Sequence, residues 1–428
     1  MPDDLRYVVL LFALFVVPRV LQRYRLPAAI TAFLLGAAAA FSGRALIPEG
    51  PTLPLLATFG ISAMFLVAGL EVNVAELRAG ARVIGEHLAI RAVVLLVAGA
   101  VVSATLDVGA RPAALVALAL FTPSTGFILD SLPALGVGRE EQFWIRAKAI
   151  ATELVALAVL FVTLQSTSVA RLTLATAALV AMVTVLPPLL RIFAARIAPL
   201  APRSEFSFLL MLAVVAAYLT KQLGVYYLVG AFLVGASAQF LRERVPALSS
   251  ERLVHAVEAF ASVFAPFYFF NAGMHLRAAD FSRTAVLAGL VLLVVCVPLR
   301  LALVLGHRAL AFRQPWRTGL PVAVALTPTL VFTLVLAEIL RDRFAAAPWL
   351  VGALIIYTVG NTLLPGFVLR GRAATEFDAL TPADDGRGGH TRGRGAGDEG
   401  AGPPPDAGTV VPPAATGRDR RGARMVHD

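Results

Sequence analysis

The sequence predicts an all-helical, polytopic membrane protein of about 13 transmembrane helices, arranged as inverted repeats with two broken, crossing helices. Three observations support this fold class. Hydrophobic residues make up 58% of the 428 residues and charged residues 15%, whereas soluble domains are about 45–50% apolar and about a quarter charged. Apolar runs of membrane-spanning length occupy most of the chain. Two of these runs are interrupted by Pro and hydroxyl residues, at Thr122-Pro123 and at Thr327-Pro328.

Thirteen apolar runs have about the length that a transmembrane helix needs. They lie at about 5–22, 27–42, 54–71, 87–106, 113–135, 143–165, 170–194, 205–222, 225–241, 256–275, 284–309, 318–340 and 348–369. Arg and Lys concentrate in alternate connections between the runs, where the excess behind the net charge of +10 lies. The positive-inside rule then predicts a cytoplasmic-membrane protein with its N-terminus outside and its C-terminus in the cytoplasm. Because topology explains the charge, nucleic acid is not expected as a partner.

Residues 1–371 are predicted to form the transmembrane domain, and residues 372–428 a disordered cytoplasmic tail. The tail is rich in Gly, Pro, Asp and Arg, a composition that cannot bury a hydrophobic core. It contains no strand followed by a glycine-rich turn, so no nucleotide-binding domain is expected in this chain. The sequence also lacks a phosphate loop, a nucleophile elbow and a metal-ligand pattern. We therefore expect no enzymatic activity, no cofactor and no transition-metal site.

An internal repeat relates the two halves of the predicted membrane domain. Residues 32–37 (AFLLGA) resemble 231–236 (AFLVGA), residues 65–70 (FLVAGL) resemble 269–274 (FFNAGM), and Thr122-Pro123 matches Thr327-Pro328. The three offsets are 199, 204 and 205 residues. Seven spans separate the copies, an odd number, so repeats at about 5–165 and 205–370 are inverted and joined by span 170–194. Inverted repeats with a broken helix in each half are a recurrent plan of secondary transporters.

The two interrupted spans predict a polar site in the membrane interior. Pro removes a backbone donor and frees a carbonyl that lipid cannot satisfy, so such a break persists where it lines a polar cavity. In the fifth span, Thr122, Ser124 and Thr125 flank Pro123 and supply oxygen atoms suited to a monovalent cation. In the twelfth span, Thr327, Pro328 and Thr329 repeat the pattern. The alternative is that these hydroxyls only pack helices together.

Glu153 is the sharpest single feature of the sequence. It lies deep in the sixth span, and the next charged residue after it is Arg171. A carboxylate at that depth costs a few kcal/mol and indicates a functional site. Such a group can bind a proton or a cation in turn, and we predict that Glu153 does so together with Thr152. The alternative is a structural carboxylate that is paired with an arginine.

Arg300 lies near the middle of the eleventh span. Arginine keeps its proton at all usable pH values, so Arg300 is predicted to compensate charge, either at the exposed helix carbonyls or at Glu153. The alternative is that its side chain extends to the interface. Asp130, about one turn after the first interruption, and Asn271, in the tenth span, are possible secondary members of the site.

Four stretches resemble the monovalent cation:proton antiporter superfamily, which includes bacterial sodium/proton antiporters and Kef-type proteins. Leu26-Pro27 through Gly36 is similar to the family's second span, and residues 65–71 resemble its FLxGLE stretch. Residues 223–235 are similar to LGxxxxxGAFLAG, and residues 266–274 to PxFFxxxGM. The resemblance covers about residues 5–370 and depends on the order and spacing of these stretches together.

The resemblance implies the sodium/proton antiporter fold, a homodimer, and exchange of Na+ or K+ for H+ by alternating access. By position, Ser124-Thr125 match the family's SST, Glu153 matches the essential Asp, and Arg300 matches the basic residue of the eleventh span. It also implies an ion-binding core of spans three to six and ten to thirteen. A single carboxylate with a permanently charged arginine favours electroneutral exchange.

Two departures from the family pattern keep alternatives open. Thr152-Glu153 occupies the position where the family has Asp-Asp, Asn-Asp or Gln-Asp, and Pro328-Thr329-Leu330 replaces the acidic GEF of Kef-type members. The alternatives are a gated potassium-efflux channel and a non-transporting sensor or subunit with a degenerate ion site.

Overall fold

A computed structural model of the chain describes residues 3–42, 50–72, 77–78, 80–201, 204–224, 227–241 and 251–369. Within these ranges the protein is helical and has no β-strand. The predicted cytoplasmic tail, residues 372–428, lies outside the described residues. The all-helical class predicted from composition is therefore confirmed for the membrane domain.

The α-helices are numbered in chain order. Their bounds are α1 Asp3–Gln22, α2 Ala28–Phe41, α3 Thr52–Leu70, α4 Ala81–Leu106, α5 Ala110–Phe121, α6 Thr125–Ser131, α7 Arg139–Gln165, α8 Val169–Ile192, α9 Glu205–Gln222, α10 Tyr227–Leu241, α11 Glu251–Met274, α12 Arg283–Phe312, α13 Trp316–Ala325, α14 Leu330–Phe344 and α15 Pro348–Val368.

Ten helical segments among the described residues are long and apolar enough to cross a bilayer, and α5 with α6 counts as one of them. The pair α13 and α14, bent by 48° at its break, would make eleven. The two further predicted spans, α2 and α10, are apolar but have 14 and 15 residues, whereas about 20 residues cross a bilayer without tilt or thinning. The count of thirteen spans therefore stays a prediction.

The helices pack into two groups, and one prediction about them is wrong. The first group contains α2, α3, α10 and α11, with α9 packed on α10 and α1 on α2. The second group contains α4 to α7 and α12 to α15, in which α12 packs on α15 and α14 packs on α5. The third and tenth spans, expected to pack with spans four to six and eleven to thirteen, instead pack with the second and ninth spans.

Glycines in the repeated motifs explain why these four helices pack together. A Cβ atom added to Gly36 of α2 would lie 2.0 Å from the carbonyl oxygen of Phe270 in α11. One added to Gly273 of α11 would lie 2.1 Å from the carbonyl oxygen of Phe33 in α2. Only a residue without a Cβ permits this close approach of two helix backbones. The crossing of α2 and α11 therefore requires both glycines.

A second crossing repeats the first with the other two motifs. A Cβ at Gly69 of α3 would lie 2.2 Å from the carbonyl oxygen of Phe232 in α10, and a Cβ at Gly235 of α10 would lie 2.2 Å from that of Leu66 in α3. Each crossing thus joins one helix of the first repeat to one of the second. The sequence repeat is reflected in the structure as two equivalent helix crossings.

Candidate functional site

Two interrupted helices meet in the second helix group. The first interruption separates α5 from α6 at residues 122–124, and the second separates α13 from α14 at residues 326–329. Pro123 and Pro328 lie within the interruptions, as predicted from the sequence. The backbone N–H of Ser124 donates to the carbonyl oxygen of Pro328 at 2.8 Å, which joins the two broken segments directly.

Ser124 stabilises the start of the opposite half-helix. Its hydroxyl oxygen accepts hydrogen bonds from the backbone N–H groups of Val331 at 2.9 Å and of Phe332 at 3.4 Å. These N–H groups belong to the first turn of α14, where backbone N–H groups have no acceptor within the helix itself. The Ser124 hydroxyl oxygen, predicted to bind a cation, therefore caps a helix of the other repeat.

Hydroxyl and amide groups satisfy one another around the second interruption. The Thr329 hydroxyl lies 2.9 Å from the Thr358 hydroxyl, and its backbone N–H donates to Asn361 Oδ1 at 3.2 Å. The Thr333 hydroxyl donates to the carbonyl oxygen of Ala119 in α5 at 2.7 Å. Thr327, also predicted, donates to the Asn361 carbonyl oxygen at 3.3 Å. This half of the crossing is a closed network of hydrogen bonds.

Arg300 joins the carbonyl ends of the two broken helices. Its side chain is 1% exposed, so it does not extend to an interface. One terminal nitrogen donates to the Leu326 carbonyl oxygen at 2.7 Å, and the other donates to the Leu120 carbonyl oxygen at 3.3 Å and to the Tyr357 hydroxyl at 3.2 Å. Helix C-termini carry partial negative charge that a cation stabilises. No ion pair joins Arg300 to Glu153 within the described part of the chain.

Glu153 faces a small cavity between the two helix groups. Its side chain belongs to α7 and the residue is 3% exposed. The cavity has a volume of about 10 Å³, close to the space that one water molecule or one small cation occupies. Ser124, Thr125, Gly126, Val331 and Phe332 line it from the second group, and Met64, Phe65 and Ala68 of α3 close it from the first.

Oxygen atoms at this cavity lack hydrogen-bond partners. Thr125 directs its backbone N–H and its hydroxyl toward the Glu153 carboxylate. Even so, Glu153 Oε2 and Thr125 Oγ1 have no partner that meets hydrogen-bond geometry. Thr122 Oγ1 also lacks a partner, but Thr122 is not among the residues that line the cavity. Buried oxygens without partners are rare and cost free energy. A cation or a proton placed between them would satisfy them.

Two other predicted members of the site, Thr152 and Asn271, lie elsewhere. Thr152 faces away from the cavity, because its hydroxyl donates to the Lys148 carbonyl oxygen at 2.7 Å and lies 3.3 Å from His87 Nε2. Asn271 lines a larger cavity of about 600 Å³, together with Glu338, at the ends of α11 and α14. Asp130 lies in α6, and its side chain is outside the described part of the structure.

A second buried polar cluster, not predicted as a site, lies among α4, α7 and α12. It contains His87, Arg91, Lys148, His307 and Arg308, all buried. The sequence contains a partial signal, since His87 and Arg91 are one helical turn apart, but His87 and His307 lie near the ends of the apolar runs 87–106 and 284–309. The pairing between helices could not be derived from that spacing.

Comparisons with known proteins agree with this architecture. A family model described as the transmembrane sodium/hydrogen exchanger matches residues 9–371. The solved structure of the sodium proton antiporter MjNhaP1 from Methanocaldococcus jannaschii at pH 8 is similar, with a TM-score of 0.61 and 15% sequence identity. The alignment covers 86% of this chain and 96% of that one. Curated proteins give no significant match to the sequence.

Proposed function

Because the chain belongs to the sodium/hydrogen exchanger family, we propose that it exchanges one monovalent cation, Na+ or K+, for one H+ across the cytoplasmic membrane by alternating access. The observation that carries this proposal is the buried Glu153 carboxylate, which faces a cavity of about 10 Å³ between two helix groups. At this cavity Glu153 Oε2 and Thr125 Oγ1 lack hydrogen-bond partners. A site of this size and chemistry suits a small cation or a proton.

Glu153 acts as the shared binding group in this proposal. In one half of the cycle the carboxylate holds a cation, with the Thr125 hydroxyl as a further oxygen ligand. In the other half it holds a proton and is neutral. An uncompensated carboxylate in the membrane interior is costly, so the group is occupied by one of the two ions whenever the site changes sides. This competition couples the two fluxes.

The charges at the crossing favour electroneutral exchange. Glu153 is the only carboxylate among the residues that line the cavity. Thr358 occupies the equivalent place in the second repeat and is bonded to Thr329. Arg300 keeps its charge throughout and is occupied with helix carbonyls. One carboxylate therefore carries one positive charge in each direction.

Alternating access requires the two helix groups to move relative to each other. The glycine crossings make the group of α2, α3, α10 and α11 closely packed, which supports rigid-body movement. The cavity of about 600 Å³ lies between α3, α9 and α11 on one side and α14 and α15 on the other. In the proposed topology, with the N-terminus outside and the tail cytoplasmic, this is the outer entrance. We further propose that the protein works as a homodimer.

Exchange in proteoliposomes tests the proposal. The full-length protein is reconstituted into acid-loaded vesicles with an internal pH dye, and Na+, K+ or Li+ is added outside. We expect cation-dependent alkalinisation that Glu153→Gln abolishes. Glu153→Asp is the matched control and retains exchange with an altered KM, because the carboxylate is kept but displaced.

Each other outcome has a defined meaning. Unchanged exchange in Glu153→Gln removes Glu153 from the mechanism. Current that follows voltage without proton coupling indicates a channel, and a wild-type protein without any cation-dependent signal indicates a non-transporting subunit.

A further inference from the structure

Lys148, His307 and Glu86 form a chain of neighbouring polar groups inside the second helix group, with a hydrogen bond between the first two and an ion-pair contact between the last two. Lys148 of α7 is completely buried, and its Nζ lies 3.1 Å from His307 Nδ1. His307 of α12 is also buried, and its Nε2 lies 3.5 Å from Glu86 Oε2 of α4. The Glu86 side chain is 42% exposed. The chain thus connects a fully buried amine to a solvent-accessible carboxylate.

The chemistry of the three groups fixes the direction of the hydrogen bonds. A lysine ammonium can only donate, so His307 Nδ1 must be the acceptor. A neutral imidazole with a free Nδ1 carries its hydrogen on Nε2. That hydrogen faces the Glu86 carboxylate, which can only accept when it is ionised. Donor and acceptor groups therefore alternate from Lys148 to Glu86, and the second transfer requires His307 Nε2 and Glu86 Oε2 to approach from their separation of 3.5 Å.

We propose that Lys148, His307 and Glu86 form a proton relay that switches the charge of Lys148 in step with the ion held at Glu153. In this step a Lys148 N–H bond breaks as a His307 Nδ1–H bond forms. The His307 Nε2–H bond then breaks as an O–H bond forms on Glu86. The products are a neutral amine, a neutral imidazole and a neutral carboxylic acid, which releases its proton to water. The reverse sequence returns the proton to Lys148 from the same side.

The relay residues lie apart from the Glu153 cavity. None of its three residues lines the Glu153 cavity. Lys148 precedes Glu153 by five residues in α7, which is about 7–8 Å along the helix axis. A positive charge at that distance disfavours a second cation at Glu153. Loss of the proton from Lys148 therefore favours the cation-loaded state.

Neighbouring charges add to this effect. Arg91 of α4 and Arg308 of α12 interact electrostatically with Lys148, and both guanidinium groups stay protonated under ordinary conditions. Like-charge repulsion from them favours the neutral amine. His87 of α4 lies beside His307, with ring centroids 5.8 Å apart. Glu140 and Glu141, in the first turn of α7, interact with Arg308.

This inference rests on the proposed exchange but leaves its stoichiometry unchanged, because the relayed proton returns to the side from which it came. Its consequence is that two variants should change the KM for Na+ in opposite directions. Lys148→Met removes the charge permanently and should lower the KM for Na+, on the order of tenfold. His307→Gln keeps a hydrogen-bond acceptor and a donor but cannot pass a proton. It should leave Lys148 charged and raise the KM.

The test measures the KM for Na+ of wild type, Lys148→Met and His307→Gln in proteoliposomes at one pH. Opposite shifts support the relay. Shifts of the same sign, or no shift, overturn it, because mere damage to packing would move both variants alike. Glu86→Gln should follow His307→Gln, since it removes the proton acceptor at the end of the chain.

A second measurement is independent of transport. Solid-state NMR of the full chain in lipid, with ¹⁵N-labelled histidine and without Na+ or K+, samples the state in which Lys148 is charged. It should show His307 with a protonated Nε2 and an unprotonated Nδ1, and His307→Gln identifies the signal. A doubly protonated His307 overturns the relay even if exchange is normal. If wild type shows no exchange, the proposed function fails, while the tautomer still decides whether His307 can pass a proton from Lys148 to Glu86.

Discussion

Replacement of Arg300 by Met should destabilise the protein more than any other single change at the crossing. The variant loses the donors to the Leu326 and Leu120 carbonyl oxygens and to the Tyr357 hydroxyl. The Leu120 carbonyl oxygen keeps the Tyr357 hydroxyl at 2.7 Å, but the Leu326 oxygen loses its charged donor. Hydrogen bonds to charged groups contribute about 1.5–3 kcal/mol each, and an unsatisfied buried acceptor costs about 1–3 kcal/mol.

These terms overlap, so we expect Arg300→Met to lower the free energy of unfolding by about 3–5 kcal/mol. This is similar to the effect of removing one partner from a buried charged pair. Arg300→Lys is the matched control, because it keeps the charge but cannot reach two carbonyls with a planar fork. The free energy of unfolding of Arg300→Lys should fall by about half as much. Thermal unfolding in detergent, followed by intrinsic fluorescence, measures both. An Arg300→Met variant within about 1 kcal/mol of wild type would refute the role assigned to these bonds.

Two further predictions concern helix contacts. Ser124→Ala removes the acceptor for two N–H groups of α14 and should lower stability by about 1–2 kcal/mol. The control Thr122→Ala removes a hydroxyl without a partner and should leave stability nearly unchanged. Equal losses of stability in thermal unfolding would contradict this distinction. Gly36→Ala forces α2 away from α11 and should reduce the yield of folded protein in size-exclusion chromatography. Gly85→Ala, where a Cβ meets no atom within 4 Å, should leave that yield unchanged or raise it, so equal behaviour of the two variants would speak against the crossing.

The backbone of the site could be predicted from the sequence, because its signals are local. Pro123 and Pro328 interrupt apolar runs, and each interruption separates two half-helices in the structure. The burial of Glu153 and Arg300 followed from their depth in the spans. Glycine motifs and Thr-Pro pairs at a near-constant offset revealed the repeat. A glycine does not show which helix it contacts, however, so the third and tenth spans were assigned to the wrong group.

Side-chain directions and long-range partners were harder to predict. Thr152 and Glu153 are adjacent on α7 and therefore point about 100° apart, so they cannot both face one small cavity. Helical geometry alone could have shown this. The partners of Ser124 are more than 200 residues away, and no local pattern identifies them. The same applies to Lys148 and His307, which are 159 residues apart in sequence.

The most direct test of the central claim is the dependence of the KM for Na+ on pH. If one carboxylate binds either ion, protons compete with Na+ for Glu153. The KM should then rise about tenfold for each pH unit on the acidic side, with an unchanged maximal rate at saturating Na+. Proteoliposome exchange measured over a range of pH values, with Glu153→Asp alongside wild type, gives both quantities. A KM that does not change with pH would contradict the account, because the two ions would then bind at separate sites.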